Sequence, residues 1–338
     1  MRAPRFWWQP FPTLPATLLR PAGIIYTSVA TRRMHRTGEK ADLPVICIGN
    51  FTAGGAGKTP TALAVARILD AGGESPAFLS RGYGGRLPGP VQVSTPDHSA
   101  SDVGDEPILL SRTATTIVSR DRPAGAQLAY ESGATVVIMD DGLQNPSLVK
   151  DCAIAVVDGA TGIGNGLPLP AGPLRAPMDV QWPMIDAVLI IGDGEPGRQI
   201  AEEAERRDKR VFEARLAPSP EAIQSLEGRR VLAFAGIGRP GKFFDTLRDC
   251  GAIVEAARSF PDHHRYTTAE LGTLQREAEA RGLVAVTTEK DFARIAAIRD
   301  PRPWPELTVL PVRLRIENEA GLRNLLLRRI NERRLRVA

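Results

Sequence analysis

Apolar residues in this chain gather into short, unbroken runs rather than alternating with polar ones. Val45–Gly49, Ala77–Ser80, Thr116–Ser119, Thr135–Asp140, Ala153–Asp158 and Ala187–Gly192 are mostly rich in Val, Ile and Ala. Strands covered on both faces read this way, and such strands build parallel sheets with helices on either side. Between the runs, Thr61–Leu69 sets Leu63, Ala66 and Leu69 at helical spacing. The pattern predicts an α/β protein whose first parallel sheet continues through Arg210–Ala217. After a turn at Pro218–Pro220 a second set begins: Val231–Ala235, Ile253–Ala257, Leu283–Thr288 and Leu307–Pro311. The expected division is a segment at 1–38, a larger domain at 39–220 and a smaller α/β domain at 228–338. The tail from Ala320 to Ala338 reads as a basic amphipathic helix, with Leu322, Leu325, Leu326 and Ile330 on the docking face.

Residues 1–38 have a different character. They contain no Asp or Glu but carry Arg2, Arg5, Arg20, Arg32, Arg33 and Arg36. Phe6, Trp7, Trp8 and Phe11 cluster at the front, and Leu14, Leu18, Ile25 and Val29 can share one helix face. No stretch approaches the roughly 20 apolar residues that span a bilayer, and Pro10, Pro12 and Pro15 interrupt any signal-peptide core. Two readings remain open: an interfacial segment on anionic lipid, or a helix packed on the protein's own surface.

Composition narrows the class. The 338 residues are 43% hydrophobic with a net charge of +4, so the chain can bury a real core and is not a disordered protein. Its basic residues are spread out, which does not indicate nucleic acid as a partner. Cys47, Cys152 and Cys250 are far apart, as reduced buried thiols of a cytosolic protein would be.

The chemistry starts at Thr52-Ala53-Gly54-Gly55-Ala56-Gly57-Lys58-Thr59. A buried strand precedes this glycine-rich turn and a helix follows it, the context of a phosphate-binding loop. Loop N–H groups and the helix N-terminus attract phosphate. Lys58 is placed to reach the β- and γ-phosphates, and the Thr59 hydroxyl to hold Mg²⁺. The usual pattern has glycine where this chain has Thr52; Gly54 and Gly55 supply the tight turn instead. Val136–Asp141 is an apolar strand ending in two acids, Asp140 and Asp141, the position of Mg²⁺-holding carboxylates in such proteins. Gln144 follows in a tight turn. Arg81 and Tyr83 sit just past the second strand, where open α/β sheets bind ligands. Asp102–Pro107 is an acidic turn capping a helix at Pro107–Leu110 and carrying Asp105 and Glu106. Arg120 follows the third strand, and a proline-rich loop at Leu167–Arg175 ends in Arg175. In the second domain, Phe260–Tyr266 contains His263, and Thr287–Asp291 closes a strand with charges.

Asn50–Pro60, Ser80–Gly85, Gly104–Pro107, Asp140–Gln144, Leu169–Arg175, Phe260–His263 and Thr287–Asp291 occur in an order and at spacings that resemble the tetraacyldisaccharide 4'-kinases, the lipid A 4'-kinases. The likeness covers nearly the whole chain. It implies ATP-dependent phosphorylation of the 4'-hydroxyl of a tetraacylated glucosamine disaccharide 1-phosphate. It implies two α/β domains with the active site between them, on a peripheral enzyme at the cytosolic face of the bacterial inner membrane. The chain departs from the family at Ala176, where Leu-Arg-Glu-Pro is usual.

The combined expectation is a P-loop lipid kinase using ATP and Mg²⁺. Asp105, His263, Lys58 and Arg175 are the catalytic candidates, with Asp105 taking the sugar proton and His263 paired to it. ATP is assigned to Thr52–Thr59, and Mg²⁺ to Thr59, Glu106, Asp140 and Asp141. The lipid acceptor is assigned to Arg81, Tyr83, Arg120 and Gln144. The partners implied are that acylated disaccharide and an anionic membrane surface, with no nucleic acid and no obligate protein partner. Two alternatives share the loop: a membrane-docking switch ATPase and a soluble small-metabolite kinase.

Overall fold

The computed structural model describes residues 3–336 except 239, 263, 297, 299–303 and 305. The first part of the chain runs α1 (Leu14–Met34), β1 (Val45–Gly49), α2 (Lys58–Asp70), β2 (Pro76–Ser80), β3 (Val91–Gln92), α3 (Ala100–Val103), α4 (Asp105–Leu110), β4 (Thr115–Val118), α5 (Arg122–Glu131), β5 (Val136–Asp140), β6 (Cys152–Asp158), α6 (Met178–Gln181), β7 (Ala187–Ile191), α7 (Glu195–Arg206) and β8 (Arg210–Pro218). It continues through α8 (Pro220–Leu226), β9 (Arg230–Ala235), α9 (Pro240–Asp249), β10 (Ile253–Ser259), α10 (Thr268–Arg281), β11 (Val284–Thr288), α11 (Glu289–Ala296) and β12 (Thr308–Leu310), then β13 (Val312–Ile316) and α12 (Glu319–Leu335).

Nine strands form one sheet in the order β13-β8-β7-β6-β1-β5-β2-β4-β3. Its strands from β8 to β4 are parallel, and the two edge strands are antiparallel. The unbroken Val/Ile runs are buried along their whole length in β1, β5, β6 and β7, because helices or loops cover both faces. The first strand lies in the middle. The chain fills one side first, returning to β5 beside β1, and then winds outward on the other through β6, β7 and β8, so the crevice at the carboxyl end of β1 is where a ligand binds in such sheets. Ile48 of β1 is the register partner of Asp140 of β5, which brings the phosphate-loop strand and the acidic strand end side by side.

A second sheet, β10-β9-β11-β12, is parallel throughout. The expected 228–338 boundary is wrong at its far end. After β12 only Pro311 intervenes before β13, which pairs with β8 of the large sheet. Helix α12 then buries Leu322, Leu325, Leu326 and Ile330 in the same core as Leu69 and Val65 of α2. The missed strand has a legible signal: in Val312-Arg313-Leu314-Arg315-Ile316 the arginines face out while Leu314 and Ile316 are buried, a period of two.

Helix α1 packs one face on the protein and leaves the other exposed. Its small residues pack inward. Ala16 and Gly23 are buried, and a side chain at Gly23 would sit 3.6 Å from the Pro168 carbonyl. Tyr26 donates to the Arg175 carbonyl at 3.1 Å. Its outward face carries Leu14, Leu18, Ile25 and Val29, each at least 64% exposed. Among the described residues no helix is long and apolar enough to cross a membrane.

Candidate active site

The turn from β1 into α2 is built by glycine where the backbone demands it. Gly57, the residue before α2, has φ +94°, and a Cβ there would stand 2.5 Å from the Ile191 Cδ1. Thr52 needs no such freedom. It is buried and bridges to Leu174 in antiparallel pairing, and the Ala53 amide donates to the Pro173 carbonyl at 2.7 Å. The proline-rich loop thus serves as the outer wall of the phosphate loop, and the departure from glycine at Thr52 is accommodated by extended backbone. Trp7 of the N-terminal segment holds that wall by donating to the Pro170 carbonyl at 3.0 Å.

Lys58 starts α2 and points back across the loop. Its Nζ lies 3.3 Å from the Asn50 Oδ1 and 3.7 Å from the Asp141 Oδ1. Asp141 has φ +54°, an uncommon conformation for a residue with a side chain, held here by a two-pronged contact. Arg175 donates Nη1 and Nη2 to its two carboxylate oxygens at 2.9 and 3.1 Å, and Nε to the Thr52 carbonyl at 3.1 Å. Burial works against the charge on Asp141, but Lys58 and Arg175 outweigh it and hold the carboxyl below its usual range. The neighbouring Asp140 is the opposite case. Burial, reinforced by Glu106 and Asp141, pushes it up to about 7, and its Oδ1 is buried with no hydrogen-bond partner.

Asp105 and Glu106 open α4. Gly104, with φ +93°, precedes them because a side chain there would strike the Tyr83 carbonyl at 2.6 Å. The Arg81–Gly85 loop therefore lies directly against the acidic turn, with Arg81 and Tyr83 exposed beside it. Helix α4 begins two residues earlier than Pro107, where the sequence places it, since both acids lie in its first turn. Thr59 donates its hydroxyl to the Glu106 Oε1 at 3.3 Å, so the phosphate loop and the acidic helix are already joined.

The second sheet contributes through α11. Lys290 donates to the Glu106 Oε1 at 2.7 Å. Lys290 holds Glu106 below its usual range against the opposing effect of burial. Arg294 donates Nε to the Asp105 Oδ2 at 2.9 Å, with its Nη2 on the same oxygen. Its Nη1 reaches the Asp291 Oδ1 at 2.9 Å and the Gly236 carbonyl at 2.7 Å. Sequence reasoning assigned no role to Lys290 or Arg294. Lys290 lies in the charged Thr287–Asp291 stretch, which was visible. Arg294 is one turn further, and only the register of α11 shows that it shares that face.

The structure gathers Lys58, Thr59, Asp105, Glu106, Asp140, Asp141 and Arg175 at one crevice. His263 lies outside the described residues. Gln144 is not directed wholly at a ligand: its amide donates to the Asn50 carbonyl and to the Gln181 Oε1, both at 2.8 Å, bracing the loop base. Arg120 stands apart, in a separate cavity beside α5. Ala176 is fully buried, and its carbonyl accepts from the Gln181 amide at 2.7 Å.

Mg²⁺ takes oxygen ligands and keeps several from water and phosphate. The unpartnered Asp140 Oδ1, with Glu106 and the Thr59 hydroxyl close by, fits that demand. Among the described residues no three His, Cys, Asp or Glu side chains form a ready-made metal cage, which Mg²⁺ bound alongside a nucleotide does not require.

The sequence profile of the family described as Tetraacyldisaccharide-1-P 4'-kinase matches residues 15–331. A protein named tetraacyldisaccharide 4'-kinase from Methylobacterium nodulans is 59% identical over 323 residues, 95% of this chain and 94% of its own. One of the same name from Rhodopseudomonas palustris is 49% identical over 334 residues, 99% of this chain and 98% of its own. Among solved structures, the "apo" form of LpxK from Aquifex aeolicus in complex with ATP superposes with a TM-score of 0.71 at 25% identity. That likeness covers 93% of this chain and 99% of the other.

Arg294 is 7% exposed between Asp105 and Asp291, which are 8% and 0% exposed. Removing one partner of a buried ion pair costs about 3–5 kcal/mol, because the remaining charge is left without compensation. Arg294→Ala is expected to lose about that much stability in urea unfolding, with Arg294→Lys losing less. A loss below about 1 kcal/mol in Arg294→Ala would show that this contact does not hold α11 to α4.

Proposed function

The chain belongs to the tetraacyldisaccharide-1-P 4'-kinase family, and from that premise we propose how its own residues carry the transfer. It is an ATP-dependent kinase of lipid A biosynthesis whose acceptor is the 4'-hydroxyl of an acylated glucosamine disaccharide 1-phosphate. The observation that supports the residue roles best is the convergence of Lys58, Thr59, two pairs of acids and Arg175 on one crevice, with a buried Asp140 oxygen left unpartnered.

ATP lies along Thr52–Thr59, with Lys58 on its terminal phosphates. Lys58 then exchanges its contacts with Asn50 and Asp141 for phosphate oxygens. Asp140, Glu106 and the Thr59 hydroxyl would hold Mg²⁺, which would supply neutralisation of the phosphate charge. Asp141 anchors Arg175, whose planar guanidinium is thereby fixed beside the transferring group. The acceptor's 4'-oxygen attacks the γ-phosphorus, the bond to the ADP oxygen breaks, and the 4'-hydroxyl proton passes to Asp105. His263 partners Asp105 and takes up the proton's charge. The Arg294 contact orients Asp105 from the second sheet, so the base is aimed only when α11 and α4 are together. Positioning and charge stabilisation supply most of the rate in such transfers.

Membrane attachment is assigned to the N-terminal segment at the cytosolic face of the inner membrane. The exposed stripe on α1, with Phe11 before it and basic residues along it, has the make-up of an interfacial helix. An anionic lipid surface is its partner.

Two expectations follow from these roles. In a cycle of Asp105→Asn, His263→Ala and both, each single change lowers kcat by about 10²-fold or more, and the double variant is little worse than the worse single. Multiplicative losses would separate the two residues, and losses under threefold would leave them structural. For the membrane, Leu18→Ser together with Ile25→Ser is expected to move the protein off anionic vesicles in co-sedimentation. Each buried aliphatic side chain contributes about 1.5–3 kcal/mol to such binding. Binding unchanged by the double substitution would take α1 out of the attachment.

A further inference from the structure

Arg175 is held through its backbone as well as its side chain. Its amide donates to the Phe51 carbonyl, just past β1, at 2.9 Å. Its carbonyl accepts from the Tyr26 hydroxyl of α1 at 3.1 Å. The loop before it closes on itself: the Leu169 amide donates to the Leu174 carbonyl at 2.9 Å, and the Leu174 amide to the Leu167 carbonyl at 3.0 Å. Pro168, Pro170 and Pro173 restrict that loop further, so it moves as one piece. The N-terminal turn grips the other end of the piece. Trp7 donates Nε1 to the Pro170 carbonyl at 3.0 Å, and the Trp7 carbonyl accepts from the Asn165 amide at 2.8 Å. The Asn165 side chain joins the two segments again, donating Nδ2 to the Phe6 carbonyl at 3.3 Å and the Ala171 carbonyl at 3.0 Å. Phe6, Trp7 and Trp8 are therefore half-buried against the protein, whereas Phe11, just beyond them, is 77% exposed.

We propose that Tyr26 and Trp7 are positioning residues for phosphoryl transfer, setting the loop that delivers Arg175, a role that rests on the proposed contact of Arg175 with the transferring group. Two kinds of anchor act on this arginine. Asp141 and the Thr52 carbonyl fix its guanidinium from inside the crevice. Asp141 also meets Lys58, so that anchor rearranges when nucleotide charge arrives. The Tyr26 and Trp7 contacts lie on the outer side of the loop and share no atom with the crevice. They hold the loop while the inner contacts change. A contact to a transferring group that is misplaced by about 1 Å loses about 10²-fold in rate. Losing one of two outer anchors displaces the loop by less, and about tenfold is the expected effect. Helix α1 then works on two faces: Gly23 and Tyr26 press on the loop, while Leu18, Ile25 and Val29 face outward. The aromatic turn at Phe6–Trp8 works on the active site from the same side.

The test compares full-length Tyr26→Phe and Trp7→Phe with the wild type in neutral detergent micelles that contain the lipid acceptor. Each change removes one donor and keeps an aromatic ring, so the packing is retained. In each, kcat is expected to fall about tenfold, with KM for the acceptor within about threefold and binding to anionic vesicles within about twofold. Arg175→Ala alone is expected to lose about 10²-fold or more. In that background, adding Tyr26→Phe or Trp7→Phe is expected to cost less than about twofold, because the residue they position is gone. A general loss of stability would instead carry over undiminished. A kcat within about threefold of wild type in either variant, or a tenfold loss that persists beside Arg175→Ala, would overturn the proposal. A loss seen only on vesicles would overturn it too and give the two residues to membrane attachment. Arg175→Ala within about threefold of wild type would strike the role of Arg175 itself, and the positioning with it, a failure which that single variant tells apart from the others.

Discussion

The site depends on seating four carboxyl groups within one crevice. Asp105 and Glu106 open α4, and Asp140 and Asp141 end β5, with all four near the phosphate loop. Burial raises the proton affinity of such groups and like charges this close add to it, which together push Asp140 upward. The fold offsets this with four cations drawn from three separate stretches: Lys58 from the loop, Arg175 from the proline-rich wall, and Lys290 and Arg294 from α11 beside the second sheet. Removing any one of these cations exposes an acid to its neighbours. Most of the surrounding architecture can be read as support for that balance. The chain around Leu174 and Arg175 pairs with the loop backbone, Gln144 and Gln181 brace both, and Gly104 lets the acidic turn approach the Tyr83 backbone.

The second sheet contributes charge rather than a pocket wall. Lys290 and Arg294 stand one turn apart on α11 and reach the adjacent acids of α4, while Lys242 of α9 reaches Asp158 at the end of β6 at 2.6 Å. These contacts tie the second sheet to the carboxyl edge of the first. Polar contacts of this kind break and reform more readily than an apolar interface. On the proposed roles, a nucleotide arriving with its own charge and Mg²⁺ competes for the same carboxylates. The same proposal gives the cations from α11 phosphate oxygens as alternative partners to Glu106 and Asp105.

Much of this was legible in the sequence. The unbroken apolar runs located the parallel strands, because burial on both faces leaves no polar position. The chemistry of the phosphate loop and the strand-end acids located the crevice. Two kinds of information were not available. The first was which sheet an apolar strand joins: Val312–Ile316 follows β12 by one residue yet pairs across to β8, a tertiary choice that local pattern does not encode. The second was which of several arginines meet an acid. Arg120 and Arg175 look alike as loop residues, but one faces an open cavity and the other grips Asp141. Arg294 carries no motif at all and acts only through its turn of α11. On α1 the pattern allowed either a packed or an interfacial helix, and the structure has small residues inward and large aliphatic ones exposed outward.

The most direct measurement follows the phosphoryl group itself. Purified protein is incubated with ATP, Mg²⁺ and a tetraacylated glucosamine disaccharide 1-phosphate in detergent, and the position of the new phosphate on the lipid is mapped by phosphorus–proton correlation NMR. One ADP is expected per lipid converted, with the new phosphate on the 4'-oxygen, and ATP is expected to be consumed only slowly without the acceptor. ATP hydrolysis independent of the lipid, or a phosphate placed on any other hydroxyl, would contradict it.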